Sequence, residues 1–200
     1  MRRHFWRALP HTDFHPAMST DTSHARAPES LPAWRRHDAR VFAWMGAGHA
    51  VSPGWLAVAK AISHWSWVPL TAVLALWALQ GMDALSVAFH AILTGGAVQV
   101  LSKKTSARWQ SARPFAVGLS PNHLDHSLRA GFPSTHATVM GCVFGFLLYL
   151  GAPPWVLFGV FGITLATGWA RVYAGAHFPS DVIAGLALGT GIGAFVAWTT

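Results

Sequence analysis

From Ala137 to Ala170 the chain carries no Asp, Glu, Lys, Arg or His. This uncharged stretch of 34 residues constrains the fold more than any other feature. A membrane-crossing helix needs about 20 apolar residues and tolerates about 17. The stretch therefore holds two short crossings, with a break at Gly151-Ala152-Pro153-Pro154, and its two ends return to the same membrane face. One end carries Gly131-Phe132-Pro133-Ser134-Thr135-His136. The other carries Arg171-Val172-Tyr173-Ala174-Gly175-Ala176-His177-Phe178-Pro179-Ser180-Asp181.

Composition supports a membrane location. Hydrophobic residues make up 52% of the chain and charged residues 10%, whereas soluble domains carry about 25% charged residues. The expected fold is all-α, a polytopic membrane helix bundle. Acids are scarce: after Asp38 only Asp83, Asp125 and Asp181 remain, and Glu29 is the one glutamate. Mg²⁺ and Ca²⁺ prefer several oxygen ligands, so no metal or other cofactor is expected. The net charge of +7 fits basic loops beside membrane helices or an anionic head group. The basic residues form no stripe on a soluble domain, which argues against nucleic acid as a partner. Cys142 is alone, so no intrachain disulfide can form.

Residues 1–40 are polar and irregular, with four prolines and five histidines, and read as a disordered or interfacial segment. They lack the long apolar core of a signal peptide, and Met18 offers a second candidate start. Residues 41–200 form the expected membrane-embedded domain. Val41–Lys60 is apolar but interrupted by Gly46, Gly48 and Pro53, and either spans or lies in the interface. Further helices are expected over Trp65–Gln80, Ala84–Leu101, Ser134–Leu150, Trp155–Ala170 and Pro179–Trp198. Without Val41–Lys60 there are five transmembrane helices, with the N-terminus beside the histidine loops and a charge balance that favours a cytoplasmic site; counting it gives six, the expected number. Arg35, Arg36 and Arg40 then favour a cytoplasmic N-terminus, and the two histidine loops face outward. Gly141 and Gly145, and Gly185, Gly189 and Gly193, recur every four residues and permit close helix packing.

His177 and Asp181 are four residues apart, and Pro179 suits the first turn of a helix. Asp181 in that turn can accept a proton from one imidazole nitrogen and leave the other as a nucleophile. It can equally serve as a plain helix cap. His136 sits at another helix mouth, where free N–H groups and the dipole suit a phosphate. Ser134 adds a hydroxyl, and His136 can protonate a leaving oxygen. Arg113 and Arg171 offer planar forks to phosphate oxygens. Together these allow in-line attack by His177 on phosphorus, with Arg113, Arg171, Ser134 and the Thr135 and His136 amides holding the transition-state charge.

The two stretches resemble the second and third signatures of the type 2 phosphatidic acid phosphatase superfamily, Pro-Ser-Gly-His and Ser-Arg-x5-His-x3-Asp. Here they stand as Pro133-Ser134-Thr135-His136 and Ala170-Arg171-x5-His177-x3-Asp181. Arg113-Pro114 fits the end of the first signature, Lys-x6-Arg-Pro, but Ser106 occupies the lysine position. Lys104 is a candidate replacement for that phosphate-binding cation. The resemblance implies a six-helix bundle that hydrolyses a lipid phosphate through a phosphohistidine, without metal. His177, His136 and Asp181 would be catalytic; Arg113, Arg171, Ser134, Thr135 and Lys104 would bind phosphate. The wording around His177 looks similar to the bacterial undecaprenyl-diphosphate phosphatase branch. That implies a lipid phosphate substrate, most simply undecaprenyl diphosphate, and an inner membrane location with the site facing the periplasm.

Phosphatidylglycerophosphate or phosphatidic acid is the alternative substrate. Soluble vanadate haloperoxidases share the constellation, but the long apolar runs argue against that chemistry. A proton-coupled transporter would carry ionisable groups deep in several helices, and here they gather at helix ends, apart from His90. His123 and His126 flank Asp125 and invite a metal reading, or head-group contacts, beside the plainer role of loop residues.

Overall fold

The computed structural model describes residues 31–108, 111–126 and 131–200. Residues 1–30 of the tail expected over residues 1–40 lie outside them. Every regular element described is helical: α1 (Ala33–Trp44), α2 (Pro53–Trp65), α3 (Trp67–Ala78), α4 (Met82–Ser106), a 3-10 turn (Phe115–Val117), α5 (Thr135–Tyr149), α6 (Pro154–Tyr173) and α7 (Pro179–Thr199). Proline opens α2, α6 and α7, where its missing N–H costs nothing and its fixed φ suits the helix.

Among the described residues three helices, α4, α6 and α7, are long and apolar enough to cross a membrane. The pair α2 and α3, bent by 52°, makes a fourth span if taken as one. The exterior is apolar, with Phe89, Phe158, Ile183 and Phe195 all exposed. Such a surface requires lipid around it, and the chain is an integral membrane protein.

The N-terminal third departs from expectation. Val41–Lys60 is not one helix: α1 stops at Trp44, Gly46 and Gly48 adopt left-handed backbone, and the chain restarts at Pro53. The crossing expected from Trp65 instead begins at Pro53 and bends after Trp65. The boundary expected at residue 40 falls inside α1. Arg35, Asp38, Ala39 and Phe42 are buried, whereas Trp34, Arg36, Arg40 and Trp44 are exposed. This i, i+3, i+4, i+7 face makes α1 an amphipathic helix packed on the bundle.

The tightest seam joins α5 to α7, which run parallel. Gly141 and Gly145 face the α7 backbone at Leu186 and Thr190; Gly185, Gly189 and Gly193 face the α5 backbone at Ser134, Thr138 and Cys142. A methyl group on Gly189 would fall on the carbonyl oxygen of Thr138. Small residues on both faces let the two backbones touch. At the top of the seam the Ser134 N–H donates to the Asp181 carbonyl at 3.0 Å, so the two helix N-termini lie side by side. Antiparallel α6 brings its C-terminus to the same end. Farther along the bundle, Leu74, Val143, Phe146, Val156 and Val160 form the apolar core.

Candidate active site

The N-terminus of α5, the C-termini of α4 and α6, the bend between α2 and α3, and the loops that carry Arg113, His126 and His177 surround a cavity of about 520 Å³. Its lining brings together His136, His177, Arg113, Arg171 and Thr135, residues widely separated in sequence.

His177 is buried at 3% exposure, in the connection between α6 and α7. Its Nδ1 lies 2.8 Å from the Gly131 carbonyl oxygen. A carbonyl can only accept, so Nδ1 carries the proton and the lone pair lies on Nε2. Arg113 Nη1 lies 3.3 Å from Nε2 and also donates to the Ala176 carbonyl at 2.9 Å. Burial, followed by the charges of Arg171 and Arg113, pushes the His177 pKa well below the ordinary histidine value. The imidazole is therefore neutral, with its lone pair beside a guanidinium.

The partner of Nδ1 differs from the sequence expectation. Asp181 Oδ2 is 3.9 Å from Nδ1, beyond hydrogen-bond reach. Asp181 is wholly buried, and both its oxygens are engaged elsewhere. Oδ2 accepts the Phe178 N–H at 3.0 Å, capping α7, and Oδ1 accepts from Arg35 Nη2 at 2.9 Å. Gly131 comes close enough to His177 because it has no side chain: a Cβ there would lie 2.9 Å from Arg113 Cγ.

Arg171 is 3% exposed; its Nη2 donates to His126 Nε2, while its Nε has no partner. Ser134 is fully buried and its Oγ likewise has no partner. Buried donors are seldom left unsatisfied; Arg171 lines the cavity and suits an acceptor-rich group such as phosphate, whereas Ser134 does not line it. Thr135 receives a hydrogen bond from Ser102 Oγ at 3.3 Å. The two loop histidines go separate ways, since His126 is held by Arg171 and His123 Nε2 has no partner. Burial, then Arg171 and Arg113, lowers the His126 pKa to about 4.

Of the two lysines near the first signature, the cavity is lined by the one that was not expected. Lys104 is exposed and does not line the cavity; Lys103 does. Neighbouring residues on an α-helix point about 100° apart, and only the packed structure shows which one faces inward. Sequence reasoning also missed Arg35, Asp38, Gly131 and the cavity-lining His64. A signal for Asp38 was present, because so few acids remain in the chain.

These features define a class: a polytopic membrane protein with a buried, cation-rich, anion-shaped site at one end of its bundle. The chain belongs to the PAP2 superfamily, whose family model matches residues 83–200. It is 34% identical over 125 residues to the putative undecaprenyl-diphosphatase YbjG of Escherichia coli, covering 61% of each chain. It is 30% identical over 157 residues to the decaprenylphosphoryl-5-phosphoribose phosphatase of Mycobacterium tuberculosis, covering 72% of this chain and 80% of that one. It is 30% identical over 115 residues to the bacitracin transport permease protein BcrC of Bacillus licheniformis, covering 55% and 54%. Its matches to BcrC of both Bacillus species and to YbjG span only 54–62% of those relatives' length. A transmembrane PAP2 type phosphatidylglycerolphosphate phosphatase from Bacillus subtilis has the same fold, with a TM-score of 0.61 at 22% identity over 85% of this chain and 87% of that one.

Proposed function

We propose that this chain is a membrane lipid phosphatase working through a phosphohistidine. The observation that carries this reading is the state of His177. It is neutral and buried, its Nδ1 proton sits on the Gly131 carbonyl, and it shares one cavity with Arg113, Arg171 and His136. The Nε2 lone pair attacks phosphorus as the bond to the leaving oxygen breaks, and His136 gives that oxygen a proton. His136 next takes a proton from water, whose oxygen displaces His177 and releases phosphate. Arg113, Arg171 Nε and the free amides of the α5 N-terminus hold the charge on the equatorial oxygens. Lys103, in place of Lys104, supplies the cation on the α4 side. Asp38 and Asp181 are both bound to Arg35, which leaves neither free to bridge a metal and supports a metal-independent route.

The preferred substrate is a polyprenyl diphosphate of the undecaprenyl type, supported by the wording around His177 and by the relatives of that name. Phosphatidylglycerophosphate or phosphatidic acid is the second choice. A transporter reading finds little support: apart from Asp83 at the start of α4, the charged groups among the described residues lie toward the cavity end of the bundle, and His90 Nδ1 is paired with the Ser86 carbonyl at 2.7 Å.

Of the two topologies read from the sequence, we favour the one with five crossings. With α2 and α3 as one bent crossing and α5 crossing despite its 15 residues, the bundle crosses five times. The C-terminus then lies across the membrane from the site. An outward-facing site had rested on the α1 cations lying on the opposite face. Arg35 reaches Asp181, so α1 belongs to the face of the site, and that support for a periplasmic site is gone.

The test is phosphate release by the purified protein in detergent with excess EDTA, offering undecaprenyl diphosphate beside phosphatidylglycerophosphate. Release that persists in EDTA and drops to background in His177→Ala is expected. Release equal to wild type in that variant would sink the mechanism.

A further inference from the structure

Helix α1 precedes the family-matched residues 83–200, yet one of its side chains reaches the site. We propose that Arg35 is a positioning residue for the reaction described above, acting on His177 only through Asp181. The proposal rests on that phosphatase reading.

The argument begins with Asp181, a carboxylate with 0% exposure. A buried charge is costly unless paired and hydrogen-bonded. Asp181 has two such partners, the Phe178 amide from its own helix end and Arg35 from α1. When Nε2 bonds to phosphorus, the ring keeps its Nδ1 proton and becomes cationic. A carboxylate 3.9 Å from Nδ1 is placed to oppose that new charge without taking the proton. It can do so only while ionised and correctly aimed, and Arg35 supplies both conditions.

Arg35 is itself fixed on every side. Nη1 donates to Asp38 Oδ2 at 2.8 Å and to Ser180 Oγ at 3.2 Å, and Nη2 also donates to Ser111 Oγ. The guanidinium lies 4.4 Å from the Trp34 ring centroid and 4.6 Å from that of Phe178, within cation–π range. Asp38 Oδ1 accepts the Ser180 N–H at 3.0 Å, so α1 is docked onto the first turn of α7. Arg35 does not line the cavity. An effect on turnover rather than on substrate binding is the signature of this arrangement.

The test is a double-mutant cycle on the full-length protein in detergent, measuring kcat and KM for phosphate release from undecaprenyl diphosphate. Thermal unfolding runs alongside to verify the fold. Arg35→Gln is expected to lower kcat about tenfold or more, the scale seen when an outer partner of a site is removed. KM stays within about twofold. Arg35→Lys recovers part of the loss by restoring charge. Adding Arg35→Gln to Asp181→Asn costs nothing beyond Asp181→Asn alone. Losses that multiply, a raised KM with unchanged kcat, or wild-type turnover in Arg35→Gln would overturn the proposal. Should Arg35→Gln not fold, Asp38→Asn runs the same cycle: a loss of kcat in the wild type that disappears in the Asp181→Asn background supports the proposal, and any other result overturns it. A wild-type protein that releases no phosphate from any lipid sinks the phosphatase reading first, an outcome distinct from a failure of the cycle.

Discussion

The cavity has two unlike walls. On one side α5 and α7 meet backbone to backbone along a line of glycines, and the N-termini of both helices are tied by a hydrogen bond from Ser134 to Asp181. On the other side stand the bend between α2 and α3 and the end of α4, with His64, Trp67, Gln99 and Lys103 exposed and Ser63 Oγ without a partner. The first wall carries His136 and the support for His177; the second carries side chains that can shift. The difference teaches where precision is needed. Reaction geometry must hold to fractions of an ångström, whereas a wall that admits a lipid head group can yield.

Breaking the rigid wall should have the largest effect. Gly189→Val puts side-chain carbon where α5 has its Thr138 carbonyl, and no rotamer can relieve a clash with backbone. Overpacking costs about 1–3 kcal/mol even where neighbours can move. The expected outcome is loss of both folded protein and activity, read by thermal unfolding and phosphate release. Gly162→Val, with open space around it, is the control and should behave as wild type. A tolerant Gly189 would show that the two walls do not differ in rigidity.

On the yielding wall the effect should be smaller and confined to one side chain. Lys103→Ala is expected to lower kcat/KM by about 10-fold, the worth of a charge-assisted hydrogen bond. Lys104→Ala should leave kinetics unchanged. Equal effects would place the α4 end in a different rotational phase from the one described.

The smallest expected effect concerns the loop above both walls. His126 has a pKa near 4 in the folded protein, against about 6.5 for an unperturbed histidine. Between these values the unfolded chain binds a proton that the folded chain does not. Stability must therefore rise with pH across that window, and fall as pH drops from about 6.5 toward 4. His126→Phe should flatten part of this slope in a series of thermal melts. An unchanged slope would mean that His126 is more open to water than its contact with Arg171 implies.

Much of the half that carries the cavity was legible in the sequence. Pro179 and Pro133-Ser134 mark helix starts, the uncharged stretch returns both histidines to one face, and the glycine spacing foreshadowed the α5–α7 seam. These are local signals with fixed periods. The illegible parts depend on rotation and docking. Nothing in Lys103-Lys104 shows which lysine turns inward. Arg35 and Asp38 looked like residues of a polar tail, because a buried ion pair leaves no apolar trace. The break at Gly46 and Gly48 was seen, but a kinked helix and a full stop look alike in sequence.

The hydrogen bond from His177 to Gly131 has a consequence for how the protein responds to acidity. An imidazole oriented by a carboxylate depends on that carboxylate remaining charged, and acid can undo the arrangement. A backbone carbonyl has no proton to gain in that range, so the choice of tautomer is built into the chain's path and survives a change of medium. The ring keeps the same nitrogen toward the cavity for as long as the loop holds its shape. Acidity can then disturb the ring's orientation only by protonating the imidazole itself.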